Sequence, residues 1–171
     1  MPKTREFDPE VPVPRSPWDE IVPGLWMGGH VWTDGAGGLR RAVVGDEFAL
    51  VVSLYSVPGH GPGTGVEHRV APIPDGPLAS AELDAVLDAA ALTVRAVRAG
   101  RPTLVRCFAG YNRSGLVVAH ALYVLTGRPA SEIIALIRWR RSPWALHNGL
   151  FVRYLHAGLD AAPPSLLDRP R

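Results

Sequence analysis

Leu83, Val86, Leu87, Ala90, Val94 and Val97 recur at spacings of three and four, the period of a helix with one buried stripe. Ser80 stands where an N-cap belongs and Gly100 where such a helix stops. The pattern changes in FALVVSLYS (48–56), an unbroken run rich in β-branched and aromatic residues and of the length of a buried strand. A second such run, PTLVRC (102–107), is followed by a turn, FAGYN (108–112), and by an apolar helix that runs from 113 to Gly127. Two further helices are predicted from about Ser131 to Arg141 and from about Asn148 to Leu159. Elsewhere DEIVPGLWMGGHVW (19–32) predicts a short strand and turn, VPGHGPGTGVEH (57–68) a loop, and RVAPIPDGP (69–77) a strand entering a second loop. Strands alternating with helices, without internal repeats, predict a single α/β domain with a mostly parallel central sheet flanked by helices.

Composition narrows this picture. At 171 residues, 47% hydrophobic and 20% charged, the chain fits one domain with a sizeable core. Residues 1–18 carry five prolines and no periodicity, so an extended or disordered arm is expected there. The domain then occupies 19–160, and 161–171 forms a tail. The N-terminus lacks the apolar segment of a secretory signal, and one cysteine cannot form an intramolecular disulfide. A reducing, cytoplasmic location follows as the expectation. GLVVAHALYVLTG falls well short of the roughly 20 residues needed to cross a bilayer, so no membrane insertion is expected. The net charge of +2 gives no reason to expect a nucleic-acid partner.

The candidate chemistry lies in LVRCFAGYNRSG (104–115), which holds the only cysteine. A lone cysteine followed at a distance by an arginine is more often a buried strand end beside a surface charge. Here a strand, the cysteine, a turn, Arg-Ser-Gly and an apolar helix follow in order. That arrangement leaves the N–H groups of Phe108, Ala109, Gly110, Tyr111, Asn112 and Arg113 free to gather at a helix N-terminus, where anions bind. The same field favours thiolate over thiol at Cys107 and makes it a nucleophile. Arg113 can grip two oxygens of a phosphate with its planar fork. Ser114 can donate to the sulfur and make it a better leaving group.

CFAGYNRS matches the C-x5-R-[ST] signature of cysteine-based protein phosphatases, and the chain resembles a small, atypical dual-specificity phosphatase. IVPGLWMGG resembles the family's opening motif, LVVSLYS and PIPDGP follow, and RWRRSPWALHNGLFVRYL resembles its closing Arg…Asn…Phe…Leu segment, so that the likeness spans roughly residues 20 to 156. The resemblance implies hydrolysis of phosphomonoesters through a cysteinyl-phosphate intermediate, with no metal, no cofactor and a phosphorylated protein as substrate. It also implies a general acid about thirty residues before the nucleophile. Asp75 stands 32 positions upstream, between proline and glycine; Pro-Asp-Gly also favours a turn, and both roles can hold, because a turn on a loop is where a catalytic acid would sit. Most relatives carry His before the nucleophile; this chain has Arg106, expected to donate to loop carbonyls and to favour the thiolate by its charge. Asn148 is expected to support the loop.

Other signals carry less. The six histidines, His30, His60, His68, His120, His147 and His156, include no i, i+4 pair, so a metal site is not expected. His120 reads as a packed or surface histidine. Trp18, Trp26, Trp32, Trp139 and Trp144 read as core or rim residues, Trp144 near the mouth of the site. GHGPGTG lacks the Lys-Ser or Lys-Thr of a nucleotide loop. Two alternatives to the protein phosphatase stay open: a catalytically weak phosphoprotein-binding module, and a phosphatase of phosphoinositides or RNA 5′-phosphates. The loop has no lysine, which places lipid below protein.

Overall fold

The computed structural model describes residues 10–160. Seven strands and four helices follow along the chain: β1 (Trp18–Val22), β2 (Leu25–Gly28), β3 (Val31–Thr33), β4 (Leu39–Arg41), β5 (Leu50–Ser53), β6 (Glu67–Val70), α1 (Ser80–Arg98), β7 (Thr103–Arg106), α2 (Arg113–Thr126), α3 (Ala130–Arg140) and α4 (Gly149–Leu159). The central sheet has the order β1-β2-β7-β5-β6, antiparallel only between β1 and β2. The mostly parallel α/β architecture expected from the alternation is the one observed.

Every residue of β5 and β7 is buried, as the unbroken apolar runs require for strands covered on both faces. Their alternate residues divide between two clusters. Leu50, Val52 and Val105 join Leu25, Met27 and the apolar faces of α1 to α4 in the main core. Val51 and Leu104 face the other way, against Val44 and Phe48, with Trp18 and Trp26 packed around them. The helices therefore cover one face, and irregular chain covers the other.

Helix boundaries follow local chemistry with small corrections. At α1 the N-cap is Ala79 rather than Ser80, because the Glu82 carboxylate accepts the Ala79 N–H at 2.7 Å and satisfies the orphan donor from inside the first turn. Gly100 ends that helix with φ +72°, and Gly127 ends α2 with φ +68°, conformations that favour glycine. Asn148 caps α4, its side-chain oxygen accepting from Leu150 N–H at 3.0 Å.

Three expectations need larger correction. DEIVPGLWMGGHVW contains β1, β2 and the start of a third strand rather than one strand and a turn. The strand expected from Arg69 begins at Glu67 and ends at Val70. It is an exposed edge strand, so its residues carry no apolar signal. Trp139 is neither core nor rim: it is 75% exposed with the Arg140 guanidinium 4.5 Å from its ring centre. Within the expected arm, Trp18 already belongs to β1, and residues 10–17 are tied to the domain through contacts described below; residues 1–9 and the 161–171 tail lie outside the described residues.

Candidate active site

The site is built where β7 leaves the sheet and α2 begins. Cys107 follows the last residue of β7, its N–H donating to Gly28 O at 3.2 Å, and the next carbonyl, that of Phe108, accepts from His30 N–H at 2.7 Å. The loop thus lies against the end of β2. Two glycines permit this approach. A Cβ at Gly29 would come within 2.5 Å of Phe108 O, and one at Gly110, where φ is +74°, would come within 2.5 Å of the Gly28 carbonyl.

Among the described residues no acceptor takes the N–H groups of residues 109–113. Cys107, 2% exposed, has its Sγ 3.3 Å from Ser114 Oγ. Arg113 opens α2 with 7% exposure. Among the described residues its Nη1 reaches only Ile73 O at 3.5 Å and its Nε has no partner, while its Cζ sits 5.0 Å from the centre of the Tyr55 ring. A buried guanidinium with unspent donors at a helix N-terminus has the chemistry to hold an oxyanion. Cys107, Arg113 and Ser114, selected on sequence grounds, are thus brought together.

Asp75 lies on the loop after β6 and meets the same site from the side. Its Oδ1 accepts from Asn148 Nδ2 at 2.7 Å, and its Oδ2 accepts from Asn112 Nδ2 at 3.0 Å. Asn112 also accepts the Asn148 backbone N–H at 2.9 Å and lies 3.3 Å from His147 Nε2. His147 Nδ1 in turn faces Trp144 O at 2.9 Å, so its Nδ1 carries the proton and Nε2 accepts from Asn112. One amide therefore joins the Cys107 loop, the candidate acid and the α3–α4 connection. Trp144 stands beside this connection, 42% exposed.

Two buried arginines lie beside the loop, and only Arg141 braces it directly. Arg141 donates from Nε to Gly110 O and from Nη2 to Ala109 O, both at 3.1 Å; its Nη1 reaches Ser16 O at 2.9 Å and Asp19 Oδ2 at 2.8 Å. Tyr111 adds a bond from its hydroxyl to Pro12 O at 2.6 Å, and burial pushes this phenol above its ordinary pKa, which keeps it a donor. Arg106 acts elsewhere than expected. Its side chain, 1% exposed, makes no bond to the carbonyls of the Cys107 loop; it donates to Ser53 Oγ, His60 O and Gly61 O at 3.1, 3.0 and 2.7 Å. The glycine-rich 57–66 segment is thus a brace held by Arg106. Burial lowers the Arg106 pKa to about 10, leaving it charged at neutral pH.

His30 lies in the same layer. Its Nε2 faces Tyr55 O at 2.8 Å, and its Nδ1 lies 3.2 Å from His60 Nδ1. Burial lowers its pKa to about 4, against the raising effect of the Tyr55 carbonyl, and the Arg106, His60 and Arg113 charges lower it further. His120 is buried behind the loop with an unpartnered Nδ1, and burial lowers its pKa to about 4 as well. The roles of Arg141, Asn112, Tyr55 and His30 were not visible in the sequence. For Arg141 the signal lay in the closing Arg…Asn…Phe…Leu segment, which marks the residue but not the carbonyls and carboxylate it meets.

Among the described residues no three or more His, Cys, Asp or Glu side chains gather as a metal site, and no helix is long and apolar enough to cross a membrane.

Solved structures share this fold. Human DUSP28 is similar with a TM-score of 0.64 and 25% identity, over 88% of this chain and 98% of that one. DUSP15 gives a TM-score of 0.68 at 19% identity, over 89% and 92% of the two chains. OH1 from the Orf virus, a tyrosine phosphatase with triple substrate specificity, gives 0.60 at 17%, over 90% and 92%. No protein-family model and no curated protein matches the sequence. The chain has the atypical dual-specificity phosphatase fold, and its structural neighbours are phosphatases.

Proposed function

We propose that the protein is a metal-independent phosphomonoesterase that acts on phosphorylated protein side chains through a cysteinyl-phosphate intermediate. The observation that carries this reading is the buried Arg113 with unspent donors beside Cys107, at a loop whose N–H groups at 109–113 make no bond within the described residues. In the proposed reaction the Cys107 thiolate attacks phosphorus while Arg113 and the loop amides hold the equatorial oxygens. Asp75 protonates the departing oxygen. Water then hydrolyses the S–P bond, with the Ser114 hydroxyl stabilising the returning thiolate. A cytoplasmic location and a protein rather than lipid or RNA substrate belong to the same proposal, supported by the single cysteine and by the absence of lysine in the loop.

Cys107→Ser tests it. Turnover should vanish, and phosphate trapped on the wild type after acid quench should be lost, while binding of inorganic phosphate persists. Residual activity within tenfold of wild type would exclude Cys107 as the nucleophile. Asp75→Asn should slow hydrolysis of a phosphopeptide by about 10² to 10⁴ and cost much less on an activated aryl phosphate, whose leaving group needs no proton. Equal losses on both substrates would assign Asp75 to the turn alone, held by Asn112 and Asn148. A panel of phosphotyrosine peptide, phosphoserine peptide, inositol phosphates and 5′-triphosphate RNA identifies the substrate class.

A further inference from the structure

Arg113 is held without a carboxylate. Among the described residues no Asp or Glu forms an ion pair with it, its one hydrogen bond is the 3.5 Å contact to Ile73 O, and its Nε is buried without a partner. A buried guanidinium so weakly tethered would sample several rotamers, yet an anion site needs its fork fixed. The ring of Tyr55 supplies a different tether. It lies 5.0 Å from Arg113 Cζ, within cation–π range. The ring is itself set by Phe108, edge-on at 5.5 Å, and its residue's backbone carbonyl faces His30 Nε2 at 2.8 Å.

We infer that Tyr55 is a positioning residue for Arg113, which orients the guanidinium by its π face and leaves the in-plane N–H donors for the bound oxyanion. The physical difference from an ion pair is directional. A carboxylate would occupy the same in-plane fork that a phosphate needs and would cancel its charge. An aromatic face takes no in-plane donor and leaves the charge in place. Tyr55 follows β5 by two residues, so the sheet itself sets its position.

The inference rests on the reading of this site as an oxyanion receptor, and the test separates the two. Calorimetry on the Cys107→Ser protein measures binding of inorganic phosphate without turnover, and orthovanadate inhibition of the unmodified enzyme gives a second readout. Tyr55→Leu, added to either, should weaken oxyanion binding about 3- to 30-fold, whereas Tyr55→Phe should stay within twofold. Tyr55→Met takes the place of leucine if that variant does not fold. In an Arg113→Lys background the leucine substitution should change affinity less than twofold, because the group it orients is gone. A leucine or methionine variant within twofold of its parent overturns the role of Tyr55 alone, as does a phenylalanine variant that falls as far as leucine. An equal loss in the Arg113→Lys background overturns it too, by assigning Tyr55 to packing. If the unmodified protein binds neither phosphate nor vanadate, both the site reading and the inference fail.

Discussion

Arg106 and Arg141 are both buried arginines near the Cys107 loop, one holding the 57–66 segment and the other the loop itself, yet among the described residues only Arg141 meets a carboxylate. Arg141 spends its donors on Ala109 O, Gly110 O and the 10–19 segment, where Asp19 neutralises it at 2.8 Å. Arg106 spends its donors on a hydroxyl and two carbonyls, with no carboxylate partner among the described residues. The Arg141 flank therefore supplies geometry with its charge balanced. The Arg106 flank supplies geometry and a buried positive charge, which adds to that of Arg113 and favours an anion in the loop. Leaving a buried charge without a counter-ion costs stability, and the carbonyl bonds offset that cost only in part. An oxyanion bound as proposed would complete the balance.

The largest effect should come from breaking the uncompensated flank. Arg106→Met removes the charge and leaves His60 O and Gly61 O without their donor, and kcat/KM should fall about 10- to 100-fold, in keeping with the worth of hydrogen bonds to charged groups. Alkylation of Cys107 by iodoacetamide at pH 7 should slow in the same variant, and Arg106→Lys should recover part of that rate. If the methionine variant alkylates at the wild-type rate, the two arginines are alike and the asymmetry has no electrostatic meaning.

Asp19→Asn should do the reverse. It removes the partner of a buried Arg141 at a partly exposed position, which should cost about 1 to 3 kcal/mol of stability. For a domain of this size that lowers Tm by roughly 2 to 12 °C, with the Cys107 alkylation rate little changed. An alkylation loss equal to that of Arg106→Met would show that the paired flank also shapes the field.

A further test is a slope with pH. Burial, opposed by the Tyr55 carbonyl and aided by the neighbouring charges, holds His30 at about pKa 4, and burial alone holds His120 there. In the unfolded chain both would titrate near 6.5, so between roughly pH 6.5 and 4 the unfolded chain binds more protons. The stability they contribute is complete above 6.5 and is lost as the pH falls towards 4. The urea midpoint should therefore drop between pH 7 and pH 5, and less steeply in His30→Gln, whose amide can still donate to Tyr55 O. An unchanged slope in that variant would remove His30 from the acid sensitivity of the Arg106 flank.

Local order was legible in the sequence because it depends on neighbours in the chain. The 3.6-residue period of 83–97, the glycine stops at Gly100 and Gly127, the buried runs of β5 and β7, and the spacing of Cys107, Arg113 and Ser114 are properties of adjacent residues. The β3–β4 pair was missed, although Asp-Gly between VWT and the Leu39–Arg41 segment marks a turn that Asp34 closes by accepting from Ala36 and Gly38. Partners across the fold were decided only by the tertiary structure. Arg106 faces the 57–66 segment because Ser53 is its neighbour across β5 and β7, and no local pattern distinguishes that from a bond to the adjacent loop. Arg141 rather than Arg138 or Arg140 meets the loop because the end of α3 aims only that side chain at Ala109 and Gly110. Asn112 finds Asp75 and Asn148, and Arg113 finds Tyr55, across separations of more than thirty residues. Such contacts are set by how helices and strands pack in three dimensions, a constraint that spacing along the chain does not carry.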